Sequence, residues 1–176
     1  MTEIVMLDLE TLDTAPTAAI LSLALYTDGK PLHVHLDVDE QLKYGATISW
    51  STVRWWLEQS GDARLKQTGA IRLPVNVALA KITEYCRSIN GKYTVWSNGA
   101  AFDLPILRWH ASRMYYSVPW NYGAERCYRT KRAEVAERKL IDQQITSGVA
   151  HDALDDARRQ YEFLMLAEKL GYAIRS

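Results

Sequence analysis

Asp8 and Glu10 stand two residues apart in an otherwise apolar stretch near the start of the chain. In a β-strand that spacing puts both carboxylates on one face, with Leu7 and Leu9 on the other. Two like charges on a covered face are driven toward protonation or toward a cation. Asp103 opens a helical stretch directly after a short apolar strand, and His151 and Asp156 stand at the head of the last helical stretch. Each group also has an ordinary structural reading: an exposed strand pair, a partner for a helix N-terminus, or, for Asp152 with Asp155, a cap followed by first-turn acids. Together they offer four carboxylates and one imidazole where a central strand and helix ends can converge. Two divalent cations balance four negative charges, and oxygen donors alone favour Mg²⁺ or Mn²⁺ over Zn²⁺. Such ions about 3.5 to 4 Å apart clamp the attacking and leaving oxygens of a phosphoryl displacement. An imidazole with a pKa near about 6.5 can take the proton of the attacking water near neutral pH.

The elements that must position these groups are read from periodicity. Strands are expected over residues 3–9, 19–27 and 32–38, the last two joined at Asp28-Gly29. In the third strand Leu32, Val34 and Leu36 alternate with His33, His35 and Asp37, so the histidines share the wet face and read as solvated before they read as a metal pair. Ser49 or Ser51 caps a helix running through Trp55 and Trp56 to about Gln59, which Gly61 stops. Further helices are expected over residues 75–89 and 103–115, with Pro105 in the first turn of the latter. Strands are expected over 93–96 and 126–128. A final helix over 152–170 places Leu154, Ala157, Tyr161, Leu164 and Met165 on one side and Arg158, Arg159, Glu162 and Lys169 on the other. A meander followed by alternating helices and strands implies an α/β mixed sheet with helices on both faces.

Composition narrows the function. At 176 residues and 20.1 kDa, with 48% hydrophobic and 24% charged residues, the chain reads as a single domain over 1–176 with a real core. It has no apolar run long enough for a membrane helix, and its acidic start lacks the basic region of a signal peptide, so a cytoplasmic protein with no membrane partner is expected. No GxGxxG or GxxxxGK[ST] follows a strand, which disfavours dinucleotide and P-loop chemistry. Cys86 and Cys127 have no metal spacing and read as free thiols. The formal charge is zero, yet Arg108, Arg113, Arg126, Arg129, Lys131 and Arg132 face a single acid, Glu125, between residues 104 and 132. Some of these can track phosphates. Trp55 and Trp56 diverge by about 100° on a helix, so one can enter the core while the other faces a groove and stacks on a base. His110, in mid-helix, reads as structural, and exposed aromatics would permit a homodimer.

Three segments carry a resemblance: Leu7-Asp8-Leu9-Glu10-Thr11, Asn98-Gly99-Ala100-Ala101-Phe102-Asp103, and His151-Asp152-Ala153-Leu154-Asp155-Asp156-Ala157, with an H-x4-D spacing. In order and spacing they resemble the DEDDh 3′-5′ exonucleases of the RNase H-like fold. The block from Thr52 to Gln59 is similar to the small branch that holds the mycobacterial exoribonuclease and the T4-type phage single-strand DNA exonuclease. The resemblance implies a five-stranded mixed sheet of order 3-2-1-4-5. It also implies two Mg²⁺ or Mn²⁺ ions bridged by Asp8, with Glu10 and Asp156 completing one ion site, Asp103 supporting the other and His151 as general base. Thr11 and Leu12 would meet the 3′-terminal nucleotide, although the common pattern has a Gly shortly after Asp-x-Glu-Thr where this chain has Leu12-Asp13. The implied activity is release of nucleoside 5′-monophosphates from the 3′ end of single-stranded RNA or DNA, with RNA slightly favoured. A two-metal phosphoesterase acting on small nucleotides and a silent nucleic-acid-binding domain are the alternatives.

Overall fold

A computed structural model describes residues 2–145 and 148–174. Its centre is strand β1 (Glu3–Thr11), buried from Ile4 to Thr11 because strands flank it on both sides and helices cover both faces. β2 (Ile20–Thr27) pairs with it antiparallel, and β3 (Lys30–Leu36) pairs antiparallel with β2. Helices α1 (Val38–Lys43), α2 (Trp50–Glu58) and α3 (Gly61–Thr68) precede β4 (Arg72–Leu73) and α4 (Val75–Arg87). β5 (Tyr93–Ser97) runs parallel to β1 and leads to α5 (Asp103–Arg113). β6 (Glu125–Cys127) runs parallel to β5, followed by α6 (Tyr128–Glu134), α7 (Arg138–Gln144) and α8 (Ala153–Lys169).

The alternation of β1 splits the core in two. Val5, Leu7 and Leu9 pack in one apolar cluster with Val75, Leu79 and Ile82 of α4 and Leu104 and Leu107 of α5. Ile4 and Met6 join the other, with Phe163 and Leu164 of α8. By the same alternation Asp8 and Glu10 extend the second row, so the acids lie on the α8 face at the C-terminal end of the strand. The β1–β2 register shifts between Glu10 and Thr11, a bulge of the kind that re-aims side chains beside functional sites.

The α/β architecture with a mixed sheet and helices agrees with the sequence reading, but the sheet has six strands in the order β4-β3-β2-β1-β5-β6, which corrects the expected five-stranded 3-2-1-4-5 arrangement. The difference is β4, which pairs parallel with the end of β3 and is secured by Asp37 N–H to the Leu73 carbonyl (2.9 Å). Two residues carry no periodicity to read. The third strand also stops at Leu36, because Asp37 caps α1 through a bond from the Glu40 N–H (3.0 Å). Gly61 does not end helical structure: Ser60 accepts from the Ala63 N–H (3.2 Å) and starts α3 there. His33 and His35 are half-buried under α8 instead of solvated, with ring centroids 4.7 Å apart and buried Nε2 atoms. Among the described residues, no helix is long and apolar enough to cross a membrane.

Candidate active site

Three elements deliver the acidic groups to one place. Asp8 and Glu10 come from the end of β1, Asp103 from the first position of α5 beyond the end of β5, and Asp156 from the first turn of α8. All four line one cleft of about 970 Å³ together with His151. Glu10, His151 and Asp156 each present a ligand atom within 4.8 Å of the others. Asp8 and Asp103 are close enough that each other's charge matters, since Asp103 and then Glu10 add to the burial that raises the Asp8 carboxyl well above its ordinary value. Burial, then the charges of Asp152 and Asp103, pushes Glu10 up to about 8, and burial pushes Asp103 up to about 7.

Those raised values are the signature of buried carboxyls without enough positive charge around them. Asp8 has a neutral partner, Gln160, whose Nε2 donates to Oδ1 (2.9 Å), and Arg159 only partly offsets the burial. A set of hard oxygen donors short of counter-charge fits divalent cations such as Mg²⁺ or Mn²⁺.

His151 is held from several sides. It sits in the left-handed region at φ 63°, a conformation that costs a non-glycine residue free energy. Its N–H donates to Asp156 Oδ2 (3.1 Å), and its carbonyl accepts from Gln67 Nε2 (3.2 Å). The rings of Trp55 and His151 meet edge to face, 4.7 Å between centroids. Lys66 of α3 pairs with Asp155 (2.7 Å) and with Asp152 (3.4 Å), and Asp152 caps α8 by accepting from the Asp155 N–H (3.1 Å). Asp155 also takes the Val149 N–H (2.9 Å), which ties the loop before His151 to the helix. Burial and then the nearby Arg159 charge lower the His151 pKa, which favours the uncharged imidazole.

A side pocket of about 400 Å³ opens beside Glu10, lined also by Thr11, Ser51, Thr52, Trp55 and Phe102. Thr11 lines this pocket, whereas Leu12 lines neither it nor the cleft; the Leu12 N–H donates to the Ala19 carbonyl and its carbonyl accepts from the Ser49 N–H, both at 2.9 Å. Trp56 is buried and donates from Nε1 to the Thr11 carbonyl (2.8 Å), whereas Trp55 is 39% exposed. Of the basic run, Arg129 and Arg132 reach the cleft; Arg108 pairs with Glu125, Lys131 with Glu134, and Arg113 lies over Trp109. Arg159, expected on the outer side of the last helix, instead lines the cleft with Arg138 and Gln160. Sequence spacing held a usable signal for two of these, because residues 159 and 160 lie three and four positions beyond Asp156 and share its helical face.

Solved structures that share this fold include two nucleases. The zinc-bound form of the E. coli exonuclease I complex with single-stranded DNA aligns with a TM-score of 0.66 at 14% identity, covering 97% of this chain and 41% of that one. The nuclease domain of 3′hExo, a DEDDh family member bound to rAMP, aligns with a TM-score of 0.66 at 11% identity, covering 98% and 94% of the two chains. This chain thus spans about two fifths of the exonuclease I chain. The fold is thus one that this chain shares with a DEDDh-family nuclease domain. The chain belongs to the family described as the 3′-5′ exoribonuclease Rv2179c-like domain, which matches residues 3–167. No curated protein sequence matches it.

Proposed function

We propose that residues 1–176 form a single exonuclease domain that removes nucleoside 5′-monophosphates from the 3′ end of single-stranded nucleic acid, with RNA preferred over DNA. The observation that carries the reading is the convergence of Glu10, His151 and Asp156 ligand atoms within 4.8 Å, at a cleft that Asp8 and Asp103 also line. Asp8, Glu10, Asp103 and Asp156 would hold two divalent ions, Mg²⁺ or Mn²⁺. When bound, the ions supply charge that activates the attacking water and stabilises the leaving 3′ oxygen.

His151 takes the proton of that water. Its lowered pKa, its backbone bond to Asp156 and the Trp55 ring against it favour an imidazole that can accept a proton and is fixed in direction. Thr11, Trp55 and Phe102 make the pocket for the terminal nucleoside, with an aromatic face available for the base. Leu12, expected to wedge against that base, would reach it only after moving from its position outside the pocket lining. Arg129 and Arg132, on the cleft wall, fit the phosphates of the incoming strand. No second copy of the chain is called on.

The preference for RNA draws support from the family's description as an exoribonuclease domain. The test is digestion of matched 5′-end-labelled single-stranded RNA and DNA with Mg²⁺ or Mn²⁺. Expected is a ladder shortening from the 3′ end with release of 5′-monophosphates, faster on RNA and absent in Asp8→Ala. Equal inertness of wild type and Asp8→Ala on both polymers contradicts the proposal.

A further inference from the structure

Both carboxylate oxygens of Asp156 already have partners. Oδ2 accepts from the His151 N–H, and Oδ1 is paired with the guanidinium of Arg159. Arg159 sits one helical turn beyond Asp156 on α8 and lines the cleft that holds Asp8, Glu10 and Asp103. Its charge is felt at Asp8 and at His151 as well. One guanidinium therefore stands among four carboxylates, where it supplies part of the counter-charge that divalent ions would supply in full.

A cation bound through Asp156 Oδ1 and the Arg159 guanidinium compete for one oxygen, and their like charges repel. Of the other cleft arginines, Arg129 is near enough for its charge to act on Asp103, but none is paired with a site carboxylate, Arg138 donating to the Val135 carbonyl (3.4 Å). Arg129 donates to the Asn98 carbonyl (3.0 Å) and Arg132 pairs with Asp142, and neither partner is among the four site carboxylates. We propose that Arg159 is a displaceable counter-ion: it neutralises Asp156 until divalent cations enter, then leaves that carboxylate and donates to the phosphate of the substrate's 3′-terminal nucleotide. The guanidinium fork suits a phosphate as well as it suits a carboxylate, and the long side chain is anchored beside the ion site, within reach of both. Entry of the ions is thereby coupled to creation of an anion site, so that the phosphate-binding group is released only when the acids are occupied.

This inference rests on reading Asp156 as a cation ligand, and the test separates the two. Calorimetric titrations with Mn²⁺, and with AMP at saturating Mn²⁺, are compared for wild type, Arg159→Gln, Arg159→Lys and Asp156→Asn. Arg159→Gln is expected to bind Mn²⁺ about 3- to 10-fold more tightly, because a competing positive charge is gone, and AMP about tenfold more weakly, because a charge-assisted hydrogen bond is lost. Arg159→Lys keeps the charge and loses the fork, so its Mn²⁺ affinity stays near wild type while AMP binding weakens. Mn²⁺ binding by Arg159→Gln no tighter than wild type, or undiminished AMP binding, overturns the proposal. If Asp156→Asn also binds Mn²⁺ as wild type does, the ligand reading has failed; if Asp156→Asn binds weakly and Arg159→Gln is unchanged, only the Arg159 proposal has failed. Should Arg159→Gln not fold, the Arg159 Nε–H NMR signal of the wild type, assigned by its loss in Arg159→Lys, decides the matter: it shifts on Mg²⁺ saturation if the guanidinium leaves Asp156 and stays in place if the proposal is wrong.

Discussion

Trp55 on α2 stands edge to face against His151 ahead of α8, with ring centroids 4.7 Å apart and planes at 78°. The contact joins the side-pocket helix to the imidazole, and it acts where the backbone is already in the left-handed region. Aromatic pairs of this geometry contribute about 0.5 to 1.5 kcal/mol beyond buried area. Trp55→Ala should therefore lower turnover of a single-stranded oligonucleotide about 3- to 10-fold. Because the ring is 39% exposed, the thermal midpoint should move little. Trp55→Phe should recover most of the rate, and unchanged turnover in Trp55→Ala would remove the indole from the positioning of His151.

His151→Ala separates a proton acceptor from a ligand. Loss of a general base should cut turnover on the order of 10²-fold or more, with Mn²⁺ binding by calorimetry close to that of wild type. The His151 ring lies within ligand distance of Glu10 and Asp156, so the contrary outcome is well defined. A drop in Mn²⁺ affinity as large as that of Asp156→Asn would make the imidazole a ligand instead.

The loop that presents His151 depends on Gly148, at φ +100°, where a Cβ would fall 2.7 Å from the Asp155 Cβ. Relief by moving Asp155 would strain its bonds to the Val149 N–H and to Lys66. Gly148→Ala should destabilise the protein by about 1 to 3 kcal/mol in urea unfolding, from the left-handed backbone and the clash together. A stability equal to wild type would show that the loop has another conformation open to it.

His110 supplies a test by pH that lies away from the acidic site. Its ring is fully buried; Nε2 faces the Ala18 carbonyl (2.8 Å), which can only accept, so Nε2 carries the proton and Nδ1 accepts from the Tyr44 hydroxyl (2.7 Å). Burial pushes its pKa down to about 4, partly offset by the Ala18 carbonyl. The unfolded chain, with an imidazole near about 6.5, takes up this proton first as pH falls. The contribution is thus intact above about pH 6.5 and is lost progressively toward pH 4, by roughly 3 kcal/mol in total. The stability difference between wild type and His110→Asn should shrink by that order between pH 7 and pH 4, since the raised site carboxyls are common to both and cancel. A difference that does not change with pH would mean that the folded ring protonates freely.

What was legible in the sequence follows from the range over which a pattern acts. Asp8 and Glu10 could be placed on one face because strand alternation needs only neighbours, and the cap at Asp152 because capping is local. One buried and one half-exposed tryptophan followed from helical geometry. The short helices α1, α3, α6 and α7 and the two-residue β4 leave no pattern in the sequence, since six to eight residues hardly complete a hydrophobic period and their stability comes from packing. Apolar residues mark the buried stripe of the last helix, and that stripe puts Arg159 on the outer face. The head of that helix enters the cleft, where the buried neighbours are acids and a polar residue faces inward. His33 and His35 misled for the same reason: alternation shows which side chains share a face, while coverage of that face by α8 is a tertiary fact.

Crystals soaked in Mn²⁺ and measured at the manganese absorption edge put the two-ion site to its most direct test. Expected are two anomalous peaks about 3.5 to 4 Å apart, both bonded to Asp8, one shared with Glu10 and Asp156 and the other beside Asp103. Strong manganese peaks elsewhere on the protein with none among these four carboxylates would show that the acidic cluster does not hold the ions on which the proposed hydrolysis depends.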